Sequence, residues 1–425
     1  MAFVRQLFVV ILSFLLCSPN FAKSQEAEML FTQYKSALVQ IKSINIESGQ
    51  KSSIGTGFFI SNDGYLATNY HVISDVIQSP EQYRLEYVDH LDNTFNVTPV
   101  DIDVINDLAI LKTNNVVGIH FSLSEQTPLK GEDIFSLGNP HDLGMLVVPG
   151  TYNGIKSKSF YRRINFTGSL NPGMSGGPTV TENGEVIGVN VSTAGNQISF
   201  LVPVNKLIKL YKDAMLAEVE EADSSFFDKR ILAQLTTNQT KLYNEVLASD
   251  WQISAVGNIS IPSEITDFMP CWGDSNQDQE KIQYVNTTTN CGLYDNIYIS
   301  SSFYTGSVDV NYNLIKSEKL SKFQLSTLYE TRLNNIFDNR NASQEDVSNF
   351  HCRESVVENQ YSAVSKGVLC VRAYRQYEGL YDIKFKSVML QAESESLVAS
   401  YSLQGVTESV ADQFYKKFIE SAKWN

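Results

Sequence analysis

Between residues 53 and 205 the chain alternates short apolar, β-branched runs with punctuation by Gly, Asn, Asp and Pro. The runs are "GTGFFIS", "GYLATNY", "YRLEYVD", "LAILKT", "DIFSLGN", "GEVIGVNVS" and "SFLVPV". Short strands at regular spacing with turn signals predict an all-β barrel or sandwich. "NDG" at 62–64 and "ENG" at 182–184 each separate two runs and predict hairpin turns. Before this region, residues 28–43 have apolar positions near helical spacing, which predicts a helix or a helix–strand entry. After Pro203 apolar residues recur at three- and four-residue steps to about 248, the period of helices. From about 250 to the end, strand-like runs return ("LYDNIYISSSFY", "GVLCVRAYRQY", "YDIKFKSVMLQA"), followed by an amphipathic helix in "ESVADQFYKKFIESAKW".

The 425-residue length suggests two or three domains. Arg5 and the apolar run 7–16 have the form of an export signal, too short for a membrane span, with cleavage expected after Ala22. Removing residues 1–22 takes away one cation, Arg5, and no acid, so the formal charge goes from −14 to −15. An acidic exported chain is a poor partner for nucleic acid or anionic membrane surfaces. No later segment is apolar enough to span a bilayer. The cysteines beyond the signal, Cys271, Cys291, Cys352 and Cys370, are even in number and contain no C-x-x-C pair. In an exported chain this favours two disulfides over metal binding. Three connectivities exist; local pairing, Cys271–Cys291 and Cys352–Cys370, is preferred. Neither a metal nor another cofactor is expected.

Candidate chemistry lies in the β-rich half. "NPGMSGGPTV", 171–180, surrounds Ser175 with glycines. That pattern suits a tight turn, or a nucleophile whose neighbouring N–H groups face a developing oxyanion. A serine nucleophile needs a base, and the base needs an acid to orient it. Of the histidines at 71, 90, 120, 141 and 351, His71 stands just past a predicted hairpin in "GTGFFISNDGYLATNYHV". Asp107 precedes the apolar run in "DVINDLAILKT", with Asp101 and Asp103 as nearby alternatives, and His141 lies in "GNPHD".

With "GTGFFIS…GYLATNYHV", "NDLAILK", "SLGNP" and "NPGMSGGP" in this order, residues 30–210 resemble the chymotrypsin-like fold of trypsin-type serine peptidases, and in particular the exported HtrA-type branch. The resemblance implies two six-stranded β-barrels with a His71–Asp107–Ser175 triad between them. It also implies an oxyanion hole from the N–H groups of Gly173 and Ser175. Ser169, six residues before the nucleophile, would lie at the base of the pocket for the residue preceding the cut. It carries no charge, so basic residues should not be preferred there. Val191 and Ser192, in "VNVSTAG", would pair with the substrate backbone. Met174 stands where digestive-type relatives commonly carry an aspartate that pairs with a cleavage-released N-terminus, so activity should not depend on such a cut.

The expected organisation is a signal peptide (1–22), a trypsin-like peptidase domain (23–212), a helical linker (213–250) and a disulfide-containing α+β domain (251–425) without a recognisable PDZ pattern. The expected function is an exported, periplasmic or secreted serine endopeptidase acting on proteins or peptides. The alternative is a catalytically silent peptidase fold that binds peptides or partners. The sequence fixes no oligomeric state.

Overall fold

The computed structural model describes residues 19–195, 197–216, 223–335, 341–389 and 394–424. The apolar run 7–16 of the expected export signal lies outside the described residues. The chain divides into two compact units. The first holds residues up to 156 together with 162–222, and the second holds 157–161 and 223–425.

In the first unit, helix α1 (Pro19–Tyr34) leads through a short 3-10 turn into strand β1 (Leu38–Asn45). This is the helix–strand entry expected near 28–43. β2 (Lys51–Phe59) and β3 (Tyr65–Thr68) follow as a hairpin, then α2 (Tyr70–Gln78), β4 (Tyr83–Val88), β5 (Thr94–Asn96), β6 (Thr98–Asp103) and β7 (Leu108–Lys112). Next come β8 (Asp133–Gly138), β9 (Leu146–Ile155), β10 (Ile164–Phe166), β11 (Pro178–Val180), β12 (Val186–Thr193), β13 (Ser199–Pro203) and α3 (Val204–Leu216). Strands β8 to β13 close into a six-stranded antiparallel barrel, in the order β10-β13-β12-β11-β8-β9. Its core is Ile134, Tyr152, Ile164, Phe166, Leu170, Met174, Ile187 and Leu201.

The first barrel departs from expectation. It is a curled seven-stranded sheet, β5-β4-β1-β2-β3-β7-β6, whose two edges are not joined by a strand ladder. The edges are consecutive in sequence. One extended segment pairs with β4 through residues 94–96 and with β7 through residues 98–103. Val97 separates them, its N–H reaching Leu85 O at 3.4 Å. Pro99 has no N–H to donate and lies at a register shift. The strand that would have closed the barrel is therefore split between two partners.

The second unit is built on a seven-stranded antiparallel sheet. Its strands run 271–275, 285–293, 308–316, 395–406, 381–389, 364–373 and 351–358 across the sheet. One face carries Tyr312, Phe385 and Tyr401, on which Phe414 and Phe418 of the helix Glu408–Ile419 pack. On the other face Ile315, Val368, Val388 and Val398 meet Leu333 of the helix Lys322–Asn334. The helix Ser224–Ala248, within the stretch expected to be a linker, buries Phe227, Ile231, Leu235, Leu242 and Tyr243 in this unit. The tyrosines at 243, 312, 374, 377 and 401 are buried, so in this half they are core. Disulfides Cys271–Cys291 and Cys352–Cys370, the local pairing, each link residues directly opposite on neighbouring strands.

Candidate active site

His71 is the second residue of α2, which begins as β3 ends. Apolar Tyr70, Ile73 and Ile77 recur at helical spacing and turn inward. The helix's first N–H groups have no intrahelical acceptor. Asn69, at the cap position, makes no side-chain capping bond. Asp107 supplies the acceptor from the turn before β7. Its Oδ1 accepts the His71 backbone N–H at 2.9 Å, and its Oδ2 lies 2.6 Å from His71 Nδ1. One carboxylate thus fixes both the main chain and the ring of the same residue. Asp107 itself has φ +60°, a left-handed conformation that aspartate tolerates better than most residues. Asn69 Nδ2 holds the Asp107 carbonyl at 2.7 Å.

This geometry decides the tautomer. A carboxylate only accepts, so the Nδ1 facing it carries the proton and Nε2 keeps its lone pair. His71 and Asp107 side chains are 28% and 16% exposed. Burial works against a charged imidazole, but the charge of Asp107 and its hydrogen bond outweigh burial, and the His71 pKa is raised. Among the alternative acids, Asp103 accepts from the N–H and Nδ2 of Asn106, and the buried Asp101 accepts from Ile102 N–H.

The Ser175 loop follows from close approach. A Cβ on Gly176 (φ +83°) would fall 2.3 Å from Thr68 Oγ1 and 2.8 Å from Asn69 N. Only glycine lets the residue after Ser175 lie against the strand end that delivers His71. Gly173 (φ +95°) likewise leaves no room for a side chain, since its Cβ would fall 2.3 Å from Asn139 O. Ser175 is half-buried, and Met174, fully buried, packs into the barrel core.

The loop's hydrogen bonds have a clear asymmetry. The carbonyls of residues 171–175 are all taken, Asn171 O by Met174 N–H at 3.0 Å. Pro172 O accepts from His141 N–H at 2.8 Å, and Gly173 O from Thr56 Oγ1 at 2.7 Å. Met174 O accepts from Gly177 N–H at 3.1 Å and Asn190 Nδ2 at 3.2 Å, and Ser175 O from Thr56 N–H at 2.8 Å. Among the described residues, the N–H groups of Gly173 and Ser175 have no acceptor. Two undischarged donors beside a serine can bind an oxyanion.

Ser169 is exposed, as are Ser192 and Thr193 at the end of β12; Val191 is half-buried. Val191 is the extra residue at a bulge against β13. β11 pairs with β12 only as far as Val189, and Asn190 bonds Gly176 and Gly177 beside Ser175. Beyond that point β12 keeps β13 on one side and has no β11 partner on the other. His141 contributes its backbone N–H; His120 Nδ1 lies 2.7 Å from Asn62 Oδ1. Thr56 and Asn190 were not anticipated. Asn190 left a signal, being a lone amide within the apolar run "EVIGVNV". Among the described residues, no three His, Cys, Asp or Glu side chains are grouped to hold a metal ion. Nor is any described helix long and apolar enough to cross a membrane.

Residues 55–189 match the family described as the trypsin-like peptidase domain. A probable periplasmic serine endoprotease, DegP-like, from a Marinomonas species is 36% identical over 151 residues, 34% of this chain and 30% of that protein. A protein of the same description from Bartonella henselae is 34% identical over 164 residues, 36% of this chain and 31% of its own length. The solved structure of the serine endoprotease from Yersinia pestis aligns with a TM-score of 0.40 at 23% identity, covering 45% of this chain and 66% of that one. The chain thus spans about a third of the length of these curated relatives. Residues 55–189 are a trypsin-like peptidase domain, distantly homologous to the DegP/HtrA serine endoproteases.

Proposed function

We propose that the chain is an exported serine endopeptidase that cleaves proteins or peptides through Ser175, His71 and Asp107. The observation that carries this reading is the conjunction of an Asp107-held His71 with a serine loop whose N–H groups at 173 and 175 have no acceptor among the described residues. Ser175 Oγ attacks the scissile carbonyl and passes its proton to His71 Nε2, while the Gly173 and Ser175 N–H groups bind the oxyanion. His71 then protonates the leaving amine, which departs as the C–N bond breaks and an ester to Ser175 remains. Water, deprotonated by His71, hydrolyses that ester and restores the serine. Asp107 stays ionised and faces the transient imidazolium.

The open side of β12 at 191–193 supports binding of the substrate backbone as an added strand. Ser169, uncharged, supports cleavage after residues other than Arg and Lys. Two disulfides, and relatives named periplasmic, support an oxidising, exported location. The test is digestion of an unbiased peptide library by the full chain beside Ser175→Ala. Cleavage is expected, absent from the variant and not after basic residues. A well-folded protein that cleaves nothing contradicts the proposal and leaves a peptidase fold that only binds.

A further inference from the structure

A peptide group points its C=O and N–H in opposite directions when it is trans, and no cis peptide occurs among the described residues. Whatever holds a carbonyl therefore aims the N–H of the next residue. The Met174–Ser175 peptide has its oxygen held by Asn190 Nδ2 at 3.2 Å and by Gly177 N–H at 3.1 Å. Its nitrogen is the Ser175 N–H, which has no acceptor among the described residues.

Asn190 is completely buried, and its amide is used to capacity. Nδ2 donates to Leu137 O (3.1 Å) and Met174 O; Oδ1 accepts from Ser136 Oγ (2.8 Å) and Thr179 Oγ1 (2.7 Å). The orientation of the amide is forced, because the two carbonyls have no hydrogen to give and must face the NH2 end. The main chain of Asn190 grips the same loop, donating to Gly177 O at 2.9 Å and accepting from Gly176 N–H at 3.0 Å. The Met174 side chain anchors the loop by apolar packing and does not itself set the rotation of the carbonyl, while its N–H donates to Asn171 O at 3.0 Å.

We propose that Asn190 is a positioning residue for the oxyanion hole: by holding Met174 O inward it aims the Ser175 N–H outward, beside the serine hydroxyl. The site then arrives assembled with the fold, with no charged group inserted next to Met174. This inference rests on the peptidase reading for its catalytic consequence, but not for its geometry.

Two variants test it in the full chain. Asn190→Leu keeps the approximate volume and removes all four side-chain hydrogen bonds. Asn190→Asp keeps the shape and puts an acceptor against Met174 O. If Asn190→Leu does not fold, Asn190→Asp carries the test. In crystal structures of either, the Met174–Ser175 peptide is expected to turn, taking the Ser175 N–H away from the serine hydroxyl. In kinetics, kcat is expected to fall roughly 100- to 1,000-fold, the usual effect of losing one oxyanion donor, with KM little changed. Thr179→Val is the control. It removes one donor to Oδ1 while Nδ2 still faces Met174, and is expected to lower the melting temperature with kcat unchanged.

A peptide that keeps its orientation in both Asn190 variants would overturn the proposal. So would a loss of kcat in Thr179→Val as large as in the Asn190 variants, since general loosening would then explain both. If the unaltered chain hydrolyses nothing, the peptidase reading fails, and the variant structures still decide whether Asn190 sets the peptide.

Discussion

Each unit of the molecule buries a polar cluster, and the two are built to opposite ends. In the second unit Arg372 donates through Nε (2.9 Å) and Nη2 (2.6 Å) to Asp382 Oδ2, and through Nη2 to Asn341 Oδ1 (2.8 Å). Asp382 Oδ1 accepts from Tyr374 OH at 2.6 Å and Gly405 N–H at 3.2 Å. The guanidinium lies over the Phe350 ring. The carboxylate is saturated with donors, and the cluster is a closed structural knot. Around Ser175 the carbonyls of residues 171–175 are likewise taken, yet among the described residues the N–H groups of Gly173 and Ser175 have no acceptor. Buried polar groups are nearly always paired. At Ser175 the two donors without acceptors belong to a loop whose neighbouring carbonyls are held by Thr56, His141, Gly177 and Asn190.

The comparison makes separate demands on the two regions. The largest effect is expected from Ser175→Ala, which should lower kcat on the order of 10⁶-fold while leaving the melting temperature nearly unchanged. Residual cleavage near the original rate would move the nucleophile elsewhere. Asp107→Asn should cost roughly 10⁴-fold in kcat by losing the Nδ1–H tautomer.

The same variant tests the titration. A protonated His71 cannot take the serine proton, so kcat/KM of the unaltered chain should fall on acidification, with a midpoint above that of a free imidazole. Burial lowers the His71 pKa, and the Asp107 charge and hydrogen bond raise it by more. In Asp107→Asn burial remains without the opposing charge, so the midpoint should move to lower pH. The linked stability has the matching sign. Protonated His71 stabilises the fold below its unfolded pKa, and that contribution disappears as pH rises through the raised folded value.

In the second unit, Arg372→Met strands Asp382 without its cation. Both side chains are no more than 3% exposed. Breaking such a pair typically costs about 3–5 kcal/mol, which calorimetry would read as a lower unfolding temperature. A change within error would mean the knot is not structural. The smallest effect is expected at the Lys51–Asp142 ion pair, whose side chains are 49% and 39% exposed. Lys51→Met should alter stability by about 0–1 kcal/mol in denaturant titration, and less in high salt.

The sequence carried the local features well. Both hairpin turns and the helix–strand entry at the N-terminal side rest on short-range pattern, whereas the choice of Asp107 over Asp101 and Asp103 came with the family resemblance, and the structure places the Asp107 carboxylate against His71. The split at Val97 depends on which of two distant strands each half of one segment finds, and alternation along the segment is silent on that. The sheet of the second unit was obscure for a similar reason. Strand 308–316 pairs with 395–406, some eighty residues away. Strand 351–358 lies at the sheet edge with nearly every residue exposed, so it has no apolar alternation to read. The helix Lys322–Asn334 buries only Leu325 and Leu333, too thin a stripe to announce a helix. Asn190 was visible as a polar residue in an apolar strand, but its role needed the positions of Leu137, Ser136 and Met174, which come from other parts of the barrel.

The most direct test of the account is covalent capture of the nucleophile. The full chain is treated with a fluorophosphonate at neutral pH, and the modified residue is located by mass spectrometry, beside His71→Ala and Ser175→Ala. The account predicts one adduct, on Ser175, lost in Ser175→Ala and greatly slowed in His71→Ala. A folded protein that stays unlabelled, or an adduct equally rapid without His71, would contradict it.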